Sequence, residues 1–183
     1  QVWYPSYGFA NTHVLLVRQD TAEEYDLRTV SDLADVADQL VVGADRAWMA
    51  REGDGYPGFV ETYGFSFSSI LPMQIGLVYN AVAANRMDVV LGYSTDGRIA
   101  SYDLVMLEDV MNFFPPYDAS PVVSQELLDE VPEIDSILNK LAGQIDTQTM
   151  QKLNFISDND LIEPSVVAKD FLEEHNYFEE GGK

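Results

Sequence analysis

Three short loops hold the side chains with the clearest potential for binding chemistry. Each builds a turn from Gly, Pro or Asp around an arginine or a tyrosine, and they span residues 51–58, 92–96 and 113–117. The faces of tyrosine rings attract cations, and quaternary ammonium groups are favoured guests. An arginine can hold a carboxylate through two parallel hydrogen bonds. Tyr93, Tyr117 and Arg51 together therefore indicate a binding site for a small zwitterion of the betaine type.

The composition argues against several other classes of partner. The 183 residues include 31 Asp or Glu and 10 Lys or Arg, which gives a formal net charge of −21. Such a charge repels the phosphate backbone, so we expect no nucleic-acid partner, and it disfavours an anionic membrane surface. A hydrophobic content of 46% is enough for a packed core. No stretch of 18 apolar residues is present that could span a membrane.

The residues that usually perform catalysis or hold metals are scarce. Cysteine is absent, which excludes thiolate chemistry, and the two histidines, His13 and His175, lie far apart in the sequence. The sequence contains no Gly-x-Ser-x-Gly elbow, no Walker loop and no Gly-x-Gly-x-x-Gly motif. We therefore predict a binding protein that is not an enzyme, with no cofactor and no metal.

The elements that position the loops alternate between strands and helices. Apolar runs predict strands at 14–18, 40–44, 67–71 and 87–91. Helical segments are predicted at 32–37 with Ser31 as N-cap, at 45–51, at 59–63 and at 74–86. This alternation predicts an α/β layer with a largely parallel sheet. After Tyr117 the pattern predicts one strand at 119–123 and helices at 124–142, 146–157 and 164–178, the first broken near Pro132.

Short motifs spread along nearly the whole chain carry a resemblance to a known family. They lie at residues 9–13, 29–33, 51–58, 93–96, 114–117, 137–143 and 150–154. Together they resemble the substrate-binding proteins of ABC importers for glycine betaine, carnitine and choline. The resemblance implies a type II periplasmic-binding-protein-like fold, in which two α/β lobes are joined by two crossover segments and the ligand lies in the cleft.

The resemblance also implies how the chain divides into lobes. Residues 8–114 are expected to form one α/β ligand-binding lobe with a parallel-rich sheet. Residues 1–7 and 115–183 would form the crossover segments and the returning, helical part of an incomplete second lobe. The chain would then begin at the first crossover. Because those helices would lack their sheet, we expect the fragment to self-associate or to be partly disordered in its C-terminal half.

The family assigns roles to individual residues of the site. Tyr93 and Tyr117 would be walls of an aromatic cage, and Arg51 would hold the ligand carboxylate. Asn11 and Thr12 would shape a loop and could contact the ligand. His13 stands where the family usually has a tyrosine, so either the cage is weaker there or the ligand differs. A neutral imidazole is a smaller aromatic face than a phenol, and an imidazolium would repel a trimethylammonium group.

These roles constrain the ligand without fixing it. Choline has no carboxylate and would leave Arg51 unpaired in the cleft, which is costly. Glycine betaine, proline betaine and carnitine are therefore preferred, and ergothioneine is an alternative in view of His13. The expected partner is an ABC permease, separate or fused, at the extracellular face of the membrane or in the periplasm. A sensory or regulatory module of the same fold remains an alternative.

Other aromatic and acidic residues are interpreted as structural. We predict packing roles for four further tyrosines, which are Tyr56, Tyr63, Tyr79 and Tyr102. Trp48 is predicted to lie in the core on a short helix before Arg51. Asp96 is expected to organise its own turn, as Asp does by accepting nearby backbone N–H groups.

Overall fold

The computed structural model describes residues 1–177. The chain divides into two compact units, one formed by Thr12–Pro116 and the other by Gln1–Asn11 with the chain from Tyr117 onwards. We call them the sheet unit and the helical unit. The lobe predicted at 8–114 begins and ends a few residues earlier than the sheet unit.

Residues 1–177 form seven strands and nine α-helices. The strands are β1 (Val2–Trp3), β2 (His13–Arg18), β3 (Val41–Asp45), β4 (Ser69–Met73), β5 (Val89–Tyr93), β6 (Leu104–Met106) and β7 (Val122–Val123). The helices are α1 (Gln19–Glu24), α2 (Arg46–Ala50), α3 (Tyr56–Tyr63), α4 (Val78–Ala83), α5 (Arg98–Ser101), α6 (Gln125–Glu130), α7 (Glu133–Lys140), α8 (Thr147–Asn159) and α9 (Pro164–Glu174). Most elements lie close to their predicted positions. The predicted helix 164–178 extends outside the described residues.

The sheet of the sheet unit is largely parallel, as predicted, with one strand in the opposite direction. Its strand order is β4-β3-β5-β2-β6. β3 pairs in parallel with β4 and β5, whereas β2 pairs antiparallel with β5 and β6. The four strands β3 to β6, which crossovers connect, therefore share one direction, as the alternation rule expects. β2 precedes these crossovers and is inserted between β5 and β6 in the opposite direction.

Both faces of this sheet are covered by apolar side chains. Alternate residues of β2 point to opposite faces, so that Leu15 joins one buried cluster and Leu16 joins the other. The larger cluster contains Trp48 and Phe59, which are 1% and 0% exposed, and the smaller contains Tyr79. Trp48 is thus in the core, as predicted. The sheet is a rigid base because it is packed on both sides.

Local hydrogen bonds explain where two of the helical segments begin. Asp45 ends β3, and its carboxylate accepts the Trp48 backbone N–H at 3.0 Å, which caps α2. The segment predicted to start at Ser31 is instead a 3₁₀-helix, Val30–Asp35, with Thr29 at its N-cap. The Asp32 carboxylate accepts the Thr29 N–H at 2.7 Å. The Ser31 prediction was wrong because Thr29 and Asp32 form a capping box two residues earlier.

The helical unit combines a small sheet with α6 to α9. β1 pairs antiparallel with β7, and the segments that lead to and from the sheet unit continue the pairing through a bridge between Ala10 and Asp118. The predicted helix 124–142 is interrupted at Val131–Pro132, because proline disrupts the helical hydrogen-bond pattern. No helix among residues 1–177 is long and apolar enough to cross a bilayer.

Candidate functional site

The predicted binding residues of the sheet unit lie at one edge of its sheet. β3 and β5 end at this edge, and β2 begins there because it runs in the opposite direction. Open α/β sheets bind their ligands outside the carboxyl ends of the parallel strands. His13, the first residue of β2, is directly opposite Tyr93, the last residue of β5. The pairing of His13 with Tyr93 could not be inferred from the sequence, because the two residues are 80 positions apart.

His13 and Tyr93 form a stacked pair of rings. Their centroids are 4.9 Å apart and their planes differ by 27°. The neighbouring pair is hydrogen-bonded, since Ser94 N–H donates to the Thr12 carbonyl at 2.9 Å. His13 and Tyr93 therefore form a non-hydrogen-bonded pair, the type in which opposite side chains come closest. Tyr93 keeps 36% of its surface exposed, so part of the ring is accessible to a ligand.

The surroundings of His13 favour its neutral form. The Phe114 ring lies 6.2 Å from the imidazole, and Phe114 itself packs 6.4 Å from Trp48 in the core. Burial lowers the pKa of His13 below its ordinary value, and the positive charge of Arg51 lowers it further, against the opposite effect of Asp45 and Asp54. A neutral imidazole removes the charge repulsion that an imidazolium would impose on a bound ammonium group.

Arg51 lies directly after α2 and forms an ion pair with Asp54. Its Nε is 3.0 Å from Asp54 Oδ1, and the two side chains are 42% and 32% exposed. Among residues 12–116, Asp54 is the only ion-pair partner of this guanidinium. The two terminal amino groups of Arg51 could receive a second carboxylate in the bidentate manner that guanidinium favours.

The loop that follows Arg51 is tightly folded. The Trp48 Nε1–H donates to the Asp54 carbonyl at 3.1 Å and ties the loop to the core. A Cβ at Gly55 would overlap the Arg51 carbonyl oxygen, and one at Gly58 would overlap the Gly53 carbonyl oxygen. Gly55 therefore serves the turn, and the loop holds Arg51 at a defined place beside α2.

Thr12 ties the start of β2 to two other segments of the sheet unit. Its N–H donates to Ser94 Oγ at 3.2 Å, and its hydroxyl donates to the Pro115 carbonyl at 2.9 Å. Thr12 thus shapes the loop, as predicted. Whether it also contacts a ligand stays a prediction. Ser94 contacts Thr12 and Phe114 packs near His13, and neither was predicted individually, although both lie within the motifs at 93–96 and 114–117.

Asn11 and Tyr117 belong to the helical unit. The Asn11 N–H donates to the Tyr117 carbonyl at 3.0 Å, so the two residues are adjacent on the paired segments. Tyr117 is 51% exposed. Their predicted ligand contacts stay predictions.

The remaining tyrosines differ in how well the packing prediction describes them. Tyr56 and Tyr63 pack against the large core cluster, and Tyr79 is 1% exposed. Tyr102 is 41% exposed, so the packing prediction was wrong for this residue, which follows a four-residue helix at the surface.

Asp96 organises its turn as predicted, since its carboxylate accepts the Arg98 backbone N–H at 2.9 Å. Residues 1–177 contain no cluster of three side chains suited to a metal ion.

Comparison with known proteins identifies the family. The substrate-binding domain of ABC-type glycine betaine transport systems, OpuAC, matches residues 1–174. The chain belongs to this family. Members of the family are solute-binding domains of importers and are not enzymes, in agreement with the sequence prediction.

Two curated relatives of this OpuAC-type domain cover nearly all of it. The carnitine transport binding protein OpuCC of Listeria monocytogenes serotype 1/2a (strain 10403S) is 55% identical over 98% of the chain and 58% of its own length. The ergothioneine transport permease/ergothioneine binding protein EgtU of Helicobacter pylori (strain G27) is 36% identical over 94% of the chain and 31% of its own length. The chain thus spans about 58% of the OpuCC protein that it matches.

A solved structure supports the fold of the OpuAC-type domain. The crystal structure of a glycine betaine/carnitine/choline ABC transporter has a TM-score of 0.93 and 53% identity, covering 97% of this chain and 65% of its own. The type II binding-protein fold expected from the sequence is therefore confirmed, with one antiparallel strand, β2, in an otherwise parallel sheet.

Proposed function

We propose that the domain binds a small zwitterion with a quaternary ammonium group and a carboxylate, such as carnitine or glycine betaine, for uptake by an ABC permease. The observation that carries this proposal is the stacked His13–Tyr93 pair, with the Arg51 charge close enough to lower the pKa of His13. An aromatic surface and a guanidinium at one sheet edge match the two charged ends of such a ligand.

The ammonium end would lie against the exposed part of Tyr93. A tyrosine face attracts a desolvated quaternary ammonium by about 2 kcal/mol. The neutral state of His13 is essential here, because a second positive charge beside the ring would cancel that attraction. The family resemblance adds Tyr117 as a second aromatic wall, and its 51% exposure leaves its ring accessible.

The carboxylate end would bind Arg51. Asp54 already occupies Nε, so the ligand would use the terminal amino groups and share the guanidinium with Asp54. The Asp54 carboxylate would repel the ligand carboxylate bound to the same arginine. Asp54 would therefore lower the affinity for ligands that contain a carboxylate. A ligand without a carboxylate gains nothing from Arg51.

Ergothioneine is the second candidate ligand. It combines a trimethylammonium, a carboxylate and a flat ring, and the stacked imidazole of His13 offers a flat partner for such a ring. The relative named for ergothioneine is 36% identical to this chain, whereas the relative named for carnitine is 55% identical. The comparison therefore supports ergothioneine less strongly than carnitine as the ligand.

The expected partner is an ABC permease, separate or fused. This rests on the family and on the name of the EgtU relative, which joins permease and binding protein. The site of action would then be the extracellular face of the membrane or the periplasm.

Isothermal titration calorimetry of the full-length gene product tests the proposal. Carnitine, glycine betaine, ergothioneine and choline are titrated separately, and a primary-amine analogue of carnitine serves as the matched control. We expect micromolar or tighter binding of at least one methylated zwitterion, a free energy of roughly −8 kcal/mol. Choline and the primary amine should bind more weakly. Equal affinity for the trimethylated and primary ammonium compounds would contradict the aromatic cage, and no binding of any quaternary amine would contradict the function.

A further inference from the structure

The backbone N–H of Tyr93, at the end of β5, has no hydrogen-bond acceptor on the neighbouring strands of the sheet unit. In the non-hydrogen-bonded pair with His13, the Tyr93 N–H points away from β2. The pairing of β3 with β5 on the other side extends only to Gly43 and Val90. A backbone N–H at a strand end needs another acceptor, because leaving it unpaired inside the protein is unfavourable.

Tyr79 of α4 supplies that acceptor. Its hydroxyl oxygen accepts the Tyr93 N–H at 2.8 Å, and the Tyr79 side chain is 1% exposed. Burial is the largest of the effects that raise the pKa of this hydroxyl well above its ordinary value. The group therefore stays protonated and neutral, and its oxygen remains a hydrogen-bond acceptor over the whole physiological range.

Arg98 packs on the ring of Tyr79. Its guanidinium carbon lies 4.3 Å from the centre of the Tyr79 ring, within cation–π distance. Asp96 fixes that guanidinium through two bonds, from Nε at 2.9 Å and from Nη2 at 2.7 Å. The Tyr93–Arg98 turn and helix α4 are therefore locked together through the ring and hydroxyl of Tyr79.

We infer that Tyr79 is the positioning residue of the binding site, whose hydroxyl fixes the backbone of Tyr93 so that its ring stacks on His13 and presents a preformed surface to the ammonium group. Arg98 supports this role by packing on the Tyr79 ring, and Asp96 supports it by holding Arg98 and by a hydrogen bond with the Tyr79 hydroxyl. The ligand part of this inference rests on the proposed function, whereas the positioning of the Tyr93 ring does not.

Removal of the hydroxyl alone tests the role of Tyr79. In Tyr79→Phe the ring and its packing remain, but the Tyr93 N–H loses its acceptor. Tyr102→Phe is the matched control, because its hydroxyl also bonds to a residue of α4, Asn80 Oδ1 at 2.7 Å, and lies at the exposed surface. Arg98→Lys is a second variant that leaves Tyr79 intact and loses the planar, two-bonded contact with Asp96.

Two readouts are measured in each variant. The first is the NMR shift of the His13 ring protons without ligand, which reports the ring current of Tyr93. The second is the dissociation constant for the methylated zwitterion that the wild type binds best. We expect Tyr79→Phe to change the His13 shifts and to raise the dissociation constant about tenfold. Arg98→Lys should move both readouts less and in the same direction, and Tyr102→Phe should leave both unchanged.

The outcomes separate positioning from stability and from the proposed function. A Tyr79→Phe protein with a lower melting temperature but wild-type His13 shifts would overturn the inference, and Arg98→Lys decides the question if Tyr79→Phe does not fold. If the wild type binds no quaternary amine, the proposed function fails while the ligand-free NMR comparison still decides the positioning role.

Discussion

The sheet unit and the helical unit differ sharply in how they bury apolar surface. Among residues 1–177, nearly all buried apolar side chains belong to the sheet unit, and the helical unit contributes Tyr4, Val167 and Phe171. Large apolar side chains of the helical unit are instead exposed, for example Ile137 at 56% and Leu161 at 87%. The predicted self-association or partial disorder of this region stays a prediction.

This difference indicates where a binding geometry can be preformed. His13, Arg51 and Tyr93 lie on elements anchored in two packed clusters, so their positions are determined by the core. Tyr117 lies in the unit with few buried side chains. We therefore expect the three residues of the sheet unit to be held in place before a ligand arrives, and the contribution of Tyr117 to be more variable.

The largest expected effect is on stability. Phe59 is fully buried and packs against six aromatic rings, so Phe59→Ala should lower the free energy of unfolding by about 3–5 kcal/mol. Ile137→Ala in α7 is the control and should change it by less than about 0.5 kcal/mol. Denaturant titrations of both variants measure the difference. Equal losses would mean that the contrast between the two units is wrong.

Arg51 should decide affinity for the carboxylate end. Arg51→Ala should weaken carnitine or glycine betaine by about 1.5–3 kcal/mol, the value of a hydrogen bond to a charged group, and should leave choline nearly unchanged. Asp54→Asn should act in the opposite direction, tightening carboxylate ligands several-fold, because it removes the negative charge beside Arg51. Calorimetry provides both values. Equal losses of choline and betaine in Arg51→Ala would exclude the carboxylate role.

A smaller effect on ligand affinity is expected from replacing one aromatic residue in each unit. Tyr93→Leu and Tyr117→Leu keep apolar bulk but remove the aromatic face, so each should weaken a quaternary ammonium ligand by about 1–2 kcal/mol. Both variants are titrated with the same ligand. A loss for Tyr93→Leu together with wild-type affinity for Tyr117→Leu would restrict the cage to the sheet unit.

The smallest effect concerns pH and His13. Since the folded-state pKa of His13 lies below its ordinary value of 6.5, the folded protein binds fewer protons than the unfolded chain. The stability that depends on neutral His13 is therefore complete above pH 6.5 and is lost as the pH falls towards the folded-state pKa. His13→Gln should abolish this dependence between pH 5.5 and 7.5. We expect the contribution of His13 to the free energy of unfolding to be small, because the ring is only half-buried. An unchanged pH profile of unfolding in His13→Gln would refute the assignment.

Periodicity and turn residues in the sequence predict most of the elements but carry no strand direction. The apolar run at 14–18 predicts a strand but does not indicate whether β2 is parallel or antiparallel to its neighbours. His13 lies opposite Tyr93 because β2 runs antiparallel to β5. The stacked pair could therefore not be predicted, although both residues were selected as ligand contacts. The contact between Arg51 and Asp54 follows from a tight turn that composition alone does not specify.

The hydrogen bond of the Tyr79 hydroxyl could also not be predicted from the sequence. Tyr79 was assigned to packing, and its ring is indeed buried. Its hydroxyl, however, bonds to a residue that lies 14 positions later in the sequence. Such a bond depends on where β3 stops pairing with β5, which is a property of the assembled sheet.

The crowding around Gly55 and Gly58 has a consequence for how the binding specificity of this domain can change. Because neither position has room for a side chain, random mutation of the 51–58 loop will yield folded proteins mainly at other positions, including Arg51 and Asp54. New ligand preferences in this loop are therefore reached by exchanging charges on a backbone of constant shape. A directed-evolution library can leave both glycines fixed and concentrate its diversity on that charged pair.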